Sequence, residues 1–73
     1  FLFKVVGLAK PDLPDSVVAV IHQHIPGDYS PAIRPSAKGT YHTVSVRVKV
    51  ESKEQIETLY SALGEIEHVR TVL

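Results

Sequence analysis

The segment IRPSAKGTYH, residues 33–42, gathers the side chains of this chain that are best suited to chemistry. Ser36 and Lys38 lie two positions apart, so in an extended segment they share a face and the amine can approach the hydroxyl. Such a pair acts as base and nucleophile in some enzymes. A lysine in a solvated turn keeps its proton, however, and the segment offers no oxyanion-binding group. We therefore expect neither residue to be catalytic.

The same segment has a simpler interpretation as a hairpin turn between two strands. A phosphate-binding loop places several glycines before a helix, whereas here a single glycine, Gly39, precedes a strand. We expect residues 37–39 to close the hairpin, with Gly39 at a positive φ. If the segment has a second role, its contact patch consists of Arg34, Ser36, Lys38 and Tyr41.

The remaining polar residues do not favour metal or cofactor chemistry. The chain has no cysteine, and its four histidines are His22, His24, His42 and His68. His22 and His24 lie two positions apart on a predicted helix and point away from each other. No carboxylate joins them at zinc-binding spacing. We therefore expect no metal site and no cofactor.

Length and composition bound the class of protein. Seventy-three residues form one small domain, residues 1–73, with little spare stability for a deep active site, and we expect a non-enzymatic protein. Eight Lys and Arg residues balance eight Asp and Glu residues, whereas nucleic-acid-binding domains are usually basic. No apolar run matches a membrane span and no secretory signal is visible, so we expect a cytoplasmic protein. Because the chain starts without Met inside a strand pattern, we expect that an N-terminal leader is missing.

Hydrophobic periodicity and turn residues divide the chain into six elements. The first strand is expected to end at Gly7. The first helix follows Asp12 or Asp15 as its N-cap, with Pro14 near its first turn. The predicted strands cover residues 1–6, 29–36, 40–50 and 68–73, and the predicted helices cover residues 16–25 and 52–64.

The residues expected to face the core follow from the same periods. Four valines alternate with polar residues in the long strand, which gives it one apolar and one polar face. Ser52 and Gln55 form a capping-box pair for the second helix, and Gly64 is its C-terminal stop. The predicted inward residues are Val17, Val20, Ile21 and His24 in the first helix, Val44, Val46, Val48 and Val50 in the long strand, and Ile56, Leu59, Tyr60 and Leu63 in the second helix.

The element order β-α-β-β-α-β predicts an α+β fold. Right-handed crossovers, and two helices that must cover the apolar face of the sheet, favour a ferredoxin-like α/β sandwich. We expect a four-stranded antiparallel sheet with strand order 4-1-3-2 and both helices on one face. Pro31 and Pro35 remove ladder donors from the second strand and place it at an edge.

The uncovered face of this sheet is predicted to be basic although the net charge is zero. Residues 51–67 contain five acids and one base, so negative charge collects around the second helix. The cations predicted on the uncovered face are Lys4, Arg47, Lys49 and Arg70, the last on condition that Val69, Thr71 and Leu73 face the core, and Arg34 is expected to flank them. The apolar residues predicted there are Val6, Val72 and Tyr41. Such a face is either an ordinary solvated surface or a binding surface for an anionic ligand or an acidic protein.

RNA-recognition folds share this element order, and LFKVVGL and KGTYHTV faintly resemble their two motifs. Base stacking would need Phe3 on the outward face, which would drive Lys4 into the core. Only Tyr41 remains as an outward aromatic residue, and one ring is a poor stacking platform. We therefore do not expect a nucleic acid as the main partner.

Several motifs closely resemble the YbeD family of small bacterial cytosolic proteins, over nearly the whole chain. They are Lys4 with Gly7, HIPGDY (24–29), RPSAKGTYH (34–42), ETLY (57–60) and VRTVL (69–73). The resemblance implies a ferredoxin-like fold similar to ACT-type regulatory domains, a short N-terminal leader, and an association with lipoate metabolism. ACT domains bind small ligands, often at dimer interfaces, with the turn after the first strand. Here that turn offers Gly7, Lys10 and Asp12, although Pro14–Asp15 stands where ACT loops have Pro-Gly.

Three functional hypotheses remain open. The first is a regulatory or interaction module that binds an unknown protein partner through the uncovered sheet face. The second is an ACT-like sensor that binds a small molecule at the turn from Gly7 to Asp12, whereas a small anionic ligand would bind on the uncovered face. The third is a weak nucleic-acid binder that uses Lys4, Arg47 and Lys49. We expect a monomer or a weak homodimer, since the last strand lacks a proline that would block pairing at the sheet edge.

Overall fold

Two helices and four strands alternate in the predicted order β-α-β-β-α-β. A computed structural model describes all residues, 1–73. The elements are β1 (Leu2–Leu8), α1 (Leu13–His24), β2 (Ala32–Pro35), β3 (Tyr41–Arg47), α2 (Lys53–Gly64) and β4 (Val69–Val72). Neither helix is long and apolar enough to cross a membrane.

The four strands form one antiparallel sheet in the order β2-β3-β1-β4. Read from the opposite edge, this order is the predicted 4-1-3-2, so the ferredoxin-like arrangement is confirmed. The proline-containing strand β2 lies at an edge, as expected from its missing N–H donors. The central pair is β1 and β3, which are the two longest strands.

The core lies between one face of the sheet and the two helices. Four strand residues are fully buried, namely Phe3 and Val5 of β1 and Val44 and Val46 of β3. Across the ladder Phe3 pairs with Val46, and Val5 pairs with Val44. The helices contribute the other half of the same cluster, which confirms that both cover one face. Their buried residues are Leu13, Val17 and Ile21 in α1 and Leu59 and Leu63 in α2. The opposite face of the sheet, which we call the open face, has no covering layer.

Helix α1 begins three residues earlier than predicted. Asp12 occupies its N-cap position without a side-chain hydrogen bond, and Pro14 lies in the first turn. The helix starts here because Leu13 is buried in the core, an anchor that propensity does not reveal. His24 is exposed, so its predicted place in the buried stripe is wrong. At His24, the last residue of the helix, the predicted buried stripe no longer faces the core.

Helix α2 is capped at Ser52 as predicted. The hydroxyl of Ser52 accepts the backbone N–H of Gln55 at 3.2 Å, and Oε1 of Gln55 accepts the backbone N–H of Glu51 at 2.6 Å. The first bond satisfies one unpaired donor of the helix. In the second, Gln55 accepts from the residue before the N-cap and not from Ser52, so the predicted capping box is present in its Ser52 half only. Gly64 is the last residue of the helix, and Glu65 follows as its C-cap.

The sequence predicts that strand β1 ends at Gly7, but the strand continues to Leu8. The ladder between β1 and β4 shifts register between Val6 and Gly7, which marks a β-bulge. Gly7 is buried, and the carbonyl oxygen of His68 lies only 3.0 Å from the point that a Cβ would occupy. A glycine at this position is therefore a requirement of close packing between strands rather than a strand terminator.

Candidate functional site

The hairpin containing Ser36 and Lys38 has the predicted form. Gly39 has φ 72° and donates its N–H to the carbonyl of Ser36 at 3.0 Å. The hydroxyl of Ser36 accepts the N–H of Tyr41 at 3.3 Å. Ser36 thus stabilises the turn, while Lys38 is exposed at its tip.

The turn after β1 brings together two of the three residues predicted for a ligand loop. Lys10 and Asp12 line a depression of about 270 Å³ with Ser16, Glu67 and His68. Gly7 is not part of its lining, because it packs against Leu13 and the carbonyl of His68. The depression therefore combines two carboxylates with one lysine, so an anion there meets repulsion as well as attraction.

The open face is built by the outward residues of the two central strands. Leu2, Lys4, Val6 and Leu8 of β1 lie directly opposite Arg47, Ser45, Thr43 and Tyr41 of β3, respectively. Residues directly opposite each other in an antiparallel ladder share a face. Strand β2 adds Ala32 beside Ser45 and Arg34 beside Thr43. The cations Lys4, Arg34 and Arg47 all project from this face and are exposed. This position is as predicted for Lys4 and Arg47, whereas Arg34, expected at the flank, lies on the face itself.

The bulge decides what β4 contributes to the open face. Val72 is opposite the buried Val5 and packs against the core, whereas Thr71 is opposite the outward Val6. Leu73 exchanges both backbone hydrogen bonds with Lys4, at 3.3 and 2.7 Å. The predicted assignment of Val72 to the open face, and of Thr71 and Leu73 to the core, is therefore wrong. The cause is the extra residue of the bulge, which inverts the alternation beyond it.

Arg70 nevertheless reaches the open face, as predicted. Its guanidinium carbon lies 5.6 Å from the centre of the Tyr41 ring, a distance at which a cation is attracted to an aromatic face. Because Tyr41 belongs to β3 and Arg70 to β4, the arginine side chain crosses over the intervening strand β1. Tyr41 is thus partly covered, and it is the one aromatic residue on this face.

A shallow depression of about 520 Å³ lies at the centre of the open face. Its lining mixes cations, hydroxyls and apolar side chains, and includes Leu2, Lys4, Ala32, Ile33, Arg34, Thr43, Ser45 and Leu73. Leu2 and Leu73 are 44% and 59% exposed, so this depression has an apolar part that is open to solvent. The alternation of β1 predicts that Leu2 lies on the same face as Lys4. The outward position of Leu73 depends on the bulge, so the sequence does not predict it.

Charge is segregated between the sheet and the rest of the chain. All eight acids lie outside the strands, whereas the strands hold four of the eight lysines and arginines. The only contact between a base and a carboxylate joins Nε2 of His68 to Oε1 of Glu67 at 3.7 Å. The four cations Lys4, Arg34, Arg47 and Arg70, which we call the open-face cations, therefore have no internal counter-charge. Lys49 follows the end of β3 and lies outside this set.

Histidine and acidic side chains do not gather into a group of three or more that could hold a metal ion. Nδ1 of His22 lies 3.1 Å from the carbonyl oxygen of Gly27 and 3.3 Å from its nitrogen. This contact, together with the hydrogen bond from the Tyr29 hydroxyl to the carbonyl of Ile25, folds the HIPGDY segment against the end of α1. That motif therefore has a local structural role.

The fold and the site together define a ferredoxin-like α/β sandwich with a free sheet face that is cationic and partly apolar. The family described as "Protein of unknown function (DUF493)" matches residues 1–73, and the chain belongs to this family. The membership in a family of small bacterial proteins that was inferred from the motifs is confirmed.

Relatives of high similarity come from several bacteria. UPF0250 protein VV0902 of Vibrio vulnificus is 60% identical over all of this chain and 79% of the relative. UPF0250 protein IL0958 of Idiomarina loihiensis is 58% identical, with the alignment covering 83% of its length. A UPF0250 protein of Erwinia tasmaniensis is 56% identical, with 84% of its length covered.

Proposed function

We propose that this protein is a non-enzymatic interaction module, regulatory in role and cytoplasmic, that binds an acidic protein partner through its open face. The observation that carries the proposal is the set of four open-face cations with no internal counter-charge. A face that had only to remain hydrated would mix both signs of charge. One sign alone, spread over four strands, favours a partner of the opposite sign.

Exposed apolar surface beside these cations supports a protein as the partner. Leu2 and Leu73 line the central depression, and removal of their exposed apolar surface from water favours association with a partner. Protein interfaces combine an apolar centre with a polar rim in this way. A small anion would use the charge but would leave the leucines in water.

An ACT-like sensor of a small molecule is the second candidate, because Lys10 and Asp12 line a common depression after β1. Gly7 packs against Leu13 and the carbonyl of His68 and does not line this depression. The carboxylates of Asp12 and Glu67 would repel an anionic ligand there. Such a sensor predicts that a metabolite raises the melting temperature in proportion to RT ln(1 + [L]/Kd). A nucleic-acid binder comes third, since Tyr41 is the single ring available for stacking and Arg70 lies over it.

Capture of partners from the lysate of the source bacterium tests the proposal. The immobilised protein is compared with the double variant Arg34→Glu, Arg47→Glu. Both residues are exposed, so the variant should fold with an unchanged circular dichroism spectrum. Lys10→Glu with Lys53→Glu is the matched control, because it makes the same change in net charge away from the open face.

We expect a partner that is retained by the wild type and by the control, and whose affinity for the open-face variant falls at least tenfold. Like charges brought together at an interface cost several kcal/mol, so tenfold is a conservative threshold. Equal retention by both double variants would refute the open face as the binding surface. Retention that disappears on nuclease treatment, with a steep dependence on salt, would instead favour the nucleic-acid hypothesis.

A further inference from the structure

The open-face cations are arranged as a ladder along the strand direction. Cross-strand rows on this face are defined by alternate residues of β1, namely Leu2, Lys4, Val6 and Leu8. Each row holds one cation. Along the strands, Arg47 lies in the row of Leu2, Lys4 in its own row, and Arg34 in the row of Val6. Arg70 lies over the ring of Tyr41, which is in the row of Leu8. Rows repeat every two residues, about 6.8 Å, so the ladder is about 20 Å long.

An α-helix lying along the strands matches this repeat. Its residues i and i+4 are about 6 Å apart along the axis and about 40° apart around it. Acids at four such positions would stay within about 3 Å of the four rows along the axis and would turn by about 120° around it. Long lysine and arginine side chains on four different strands can absorb both differences. The sheet face is also the right width, since three strand spacings amount to about 14 Å, and a helix with its side chains is about 10–12 Å across.

An extended segment has the same repeat but fits the face less well. Laid flat on the open face, it would hold its backbone N–H and C=O groups against leucine and valine side chains without partners, which is costly. An extended segment would pair instead with the free edge of β4, where Arg70 is the one cation of the ladder within the strand. A helix satisfies its own backbone and can therefore cover all four rows.

A second copy of this chain does not supply such a helix. The outward side of α2 is acidic, with Glu54 and Glu57 exposed. However, the large apolar residues that are exposed, which are Phe1, Leu2, Ile33 and Leu73, all lie outside the helices. A helix that docks on Leu2 and Leu73 needs an apolar stripe of its own. The helix therefore does not come from residues 1–73 of a second copy.

We infer that the partner presents an amphipathic α-helix of about four turns, with acidic residues at i, i+4 spacing beside an apolar stripe, which lies along the strands of the open face. The inference rests on the proposed function and adds the partner's secondary structure, polarity and direction. The apolar stripe packs over Leu2, Val6 and Leu73, and the carboxylates flank it to reach the open-face cations.

Site-specific photo-crosslinking in the source bacterium tests this inference. The photoreactive residue p-benzoyl-phenylalanine replaces Ala32 on β2 or Thr71 on β4, which lie on the two edge strands of the open face and are exposed. Ser61, exposed on α2, is the control position. The crosslinked peptide of the partner is identified by mass spectrometry and then synthesised.

We expect both open-face positions, and not Ser61, to capture one segment that contains acids three or four residues apart and an apolar stripe. The synthetic peptide should gain helical circular dichroism on binding. A central proline, or Gln in place of two of its acids, should weaken binding at least tenfold. Capture of a basic segment, of an extended peptide without helix gain, or of a nucleic acid would overturn the inference. Capture from Ser61 alone, or equally from all three positions, would overturn the proposed function as well.

Discussion

Gly7→Ala is expected to destabilise the protein, although alanine is usually the better residue in an ordered segment. The added Cβ would lie 3.0 Å from the carbonyl oxygen of His68 and 3.3 Å from both methyl carbons of Leu13. The carbonyl has little freedom to move, because it accepts the N–H of Leu8 at 3.0 Å. Leu13 is held in the core with only 3% of its surface exposed. Strand β4 or helix α1 must therefore shift.

The expected magnitude follows from two opposing terms. Overpacking of this kind costs about 1–3 kcal/mol. Replacement of glycine stabilises the protein by about 0.4–1 kcal/mol, because alanine lowers the conformational entropy of the unfolded chain. The midpoints of the two ranges give a net loss of about 1.3 kcal/mol. A chain of this length has a total stability of roughly 4–11 kcal/mol, so the melting temperature should fall by roughly 5–10 °C.

Gly64→Ala is the matched control for this experiment. Gly64 lies in α2, and no atom comes within 4 Å of the position of its Cβ. The same chemical change should therefore raise the free energy of unfolding by up to about 1 kcal/mol. Urea denaturation followed by circular dichroism measures both variants, with the free energy extrapolated to water at a constant m-value.

Opposite signs for the two glycine variants are the decisive result. A Gly7→Ala protein as stable as the wild type would show that β4 or α1 can shift at this point without cost, and would refute the claim that close packing requires a glycine here. A loss in Gly64→Ala as large as that in Gly7→Ala would refute the assignment of the effect to close packing.

Two further substitutions test local features of the fold. Ser52→Ala removes the acceptor for the N–H of Gln55 and should lower the free energy of unfolding by about 1 kcal/mol. Urea denaturation measures this loss. Ser61→Ala, at an exposed position of α2, is the control, and its change in the free energy of unfolding should be near zero. His68→Gly should raise the melting temperature by a few degrees, because His68 has φ 72°, a backbone conformation that costs a non-glycine residue roughly 1–2 kcal/mol. A fall in melting temperature for His68→Gly would mean that the histidine side chain contributes more than the strain removes.

The sequence by itself determined the element order, the strand order and most of the core. Val44, Val46 and Val48 alternate with polar residues, and this period of two assigns their faces without any long-range information. The stripe in α2 and the caps at Ser52 are equally local. The open-face positions of Lys4 and Arg47 follow from the same alternation, because each strand that carries them is regular.

Only the tertiary structure decided where the elements end and what β4 presents. Leu13 extends α1 because it finds a buried place in the core, and β1 runs through Gly7 because β4 approaches closely there. The bulge is a mismatch between two strands, so it exists only where both are paired. Its single extra residue turns Val72 inward and Leu73 outward. The contribution of Leu73 to the candidate binding surface thus arises from a contact with Lys4, more than sixty positions away, which no local pattern encodes.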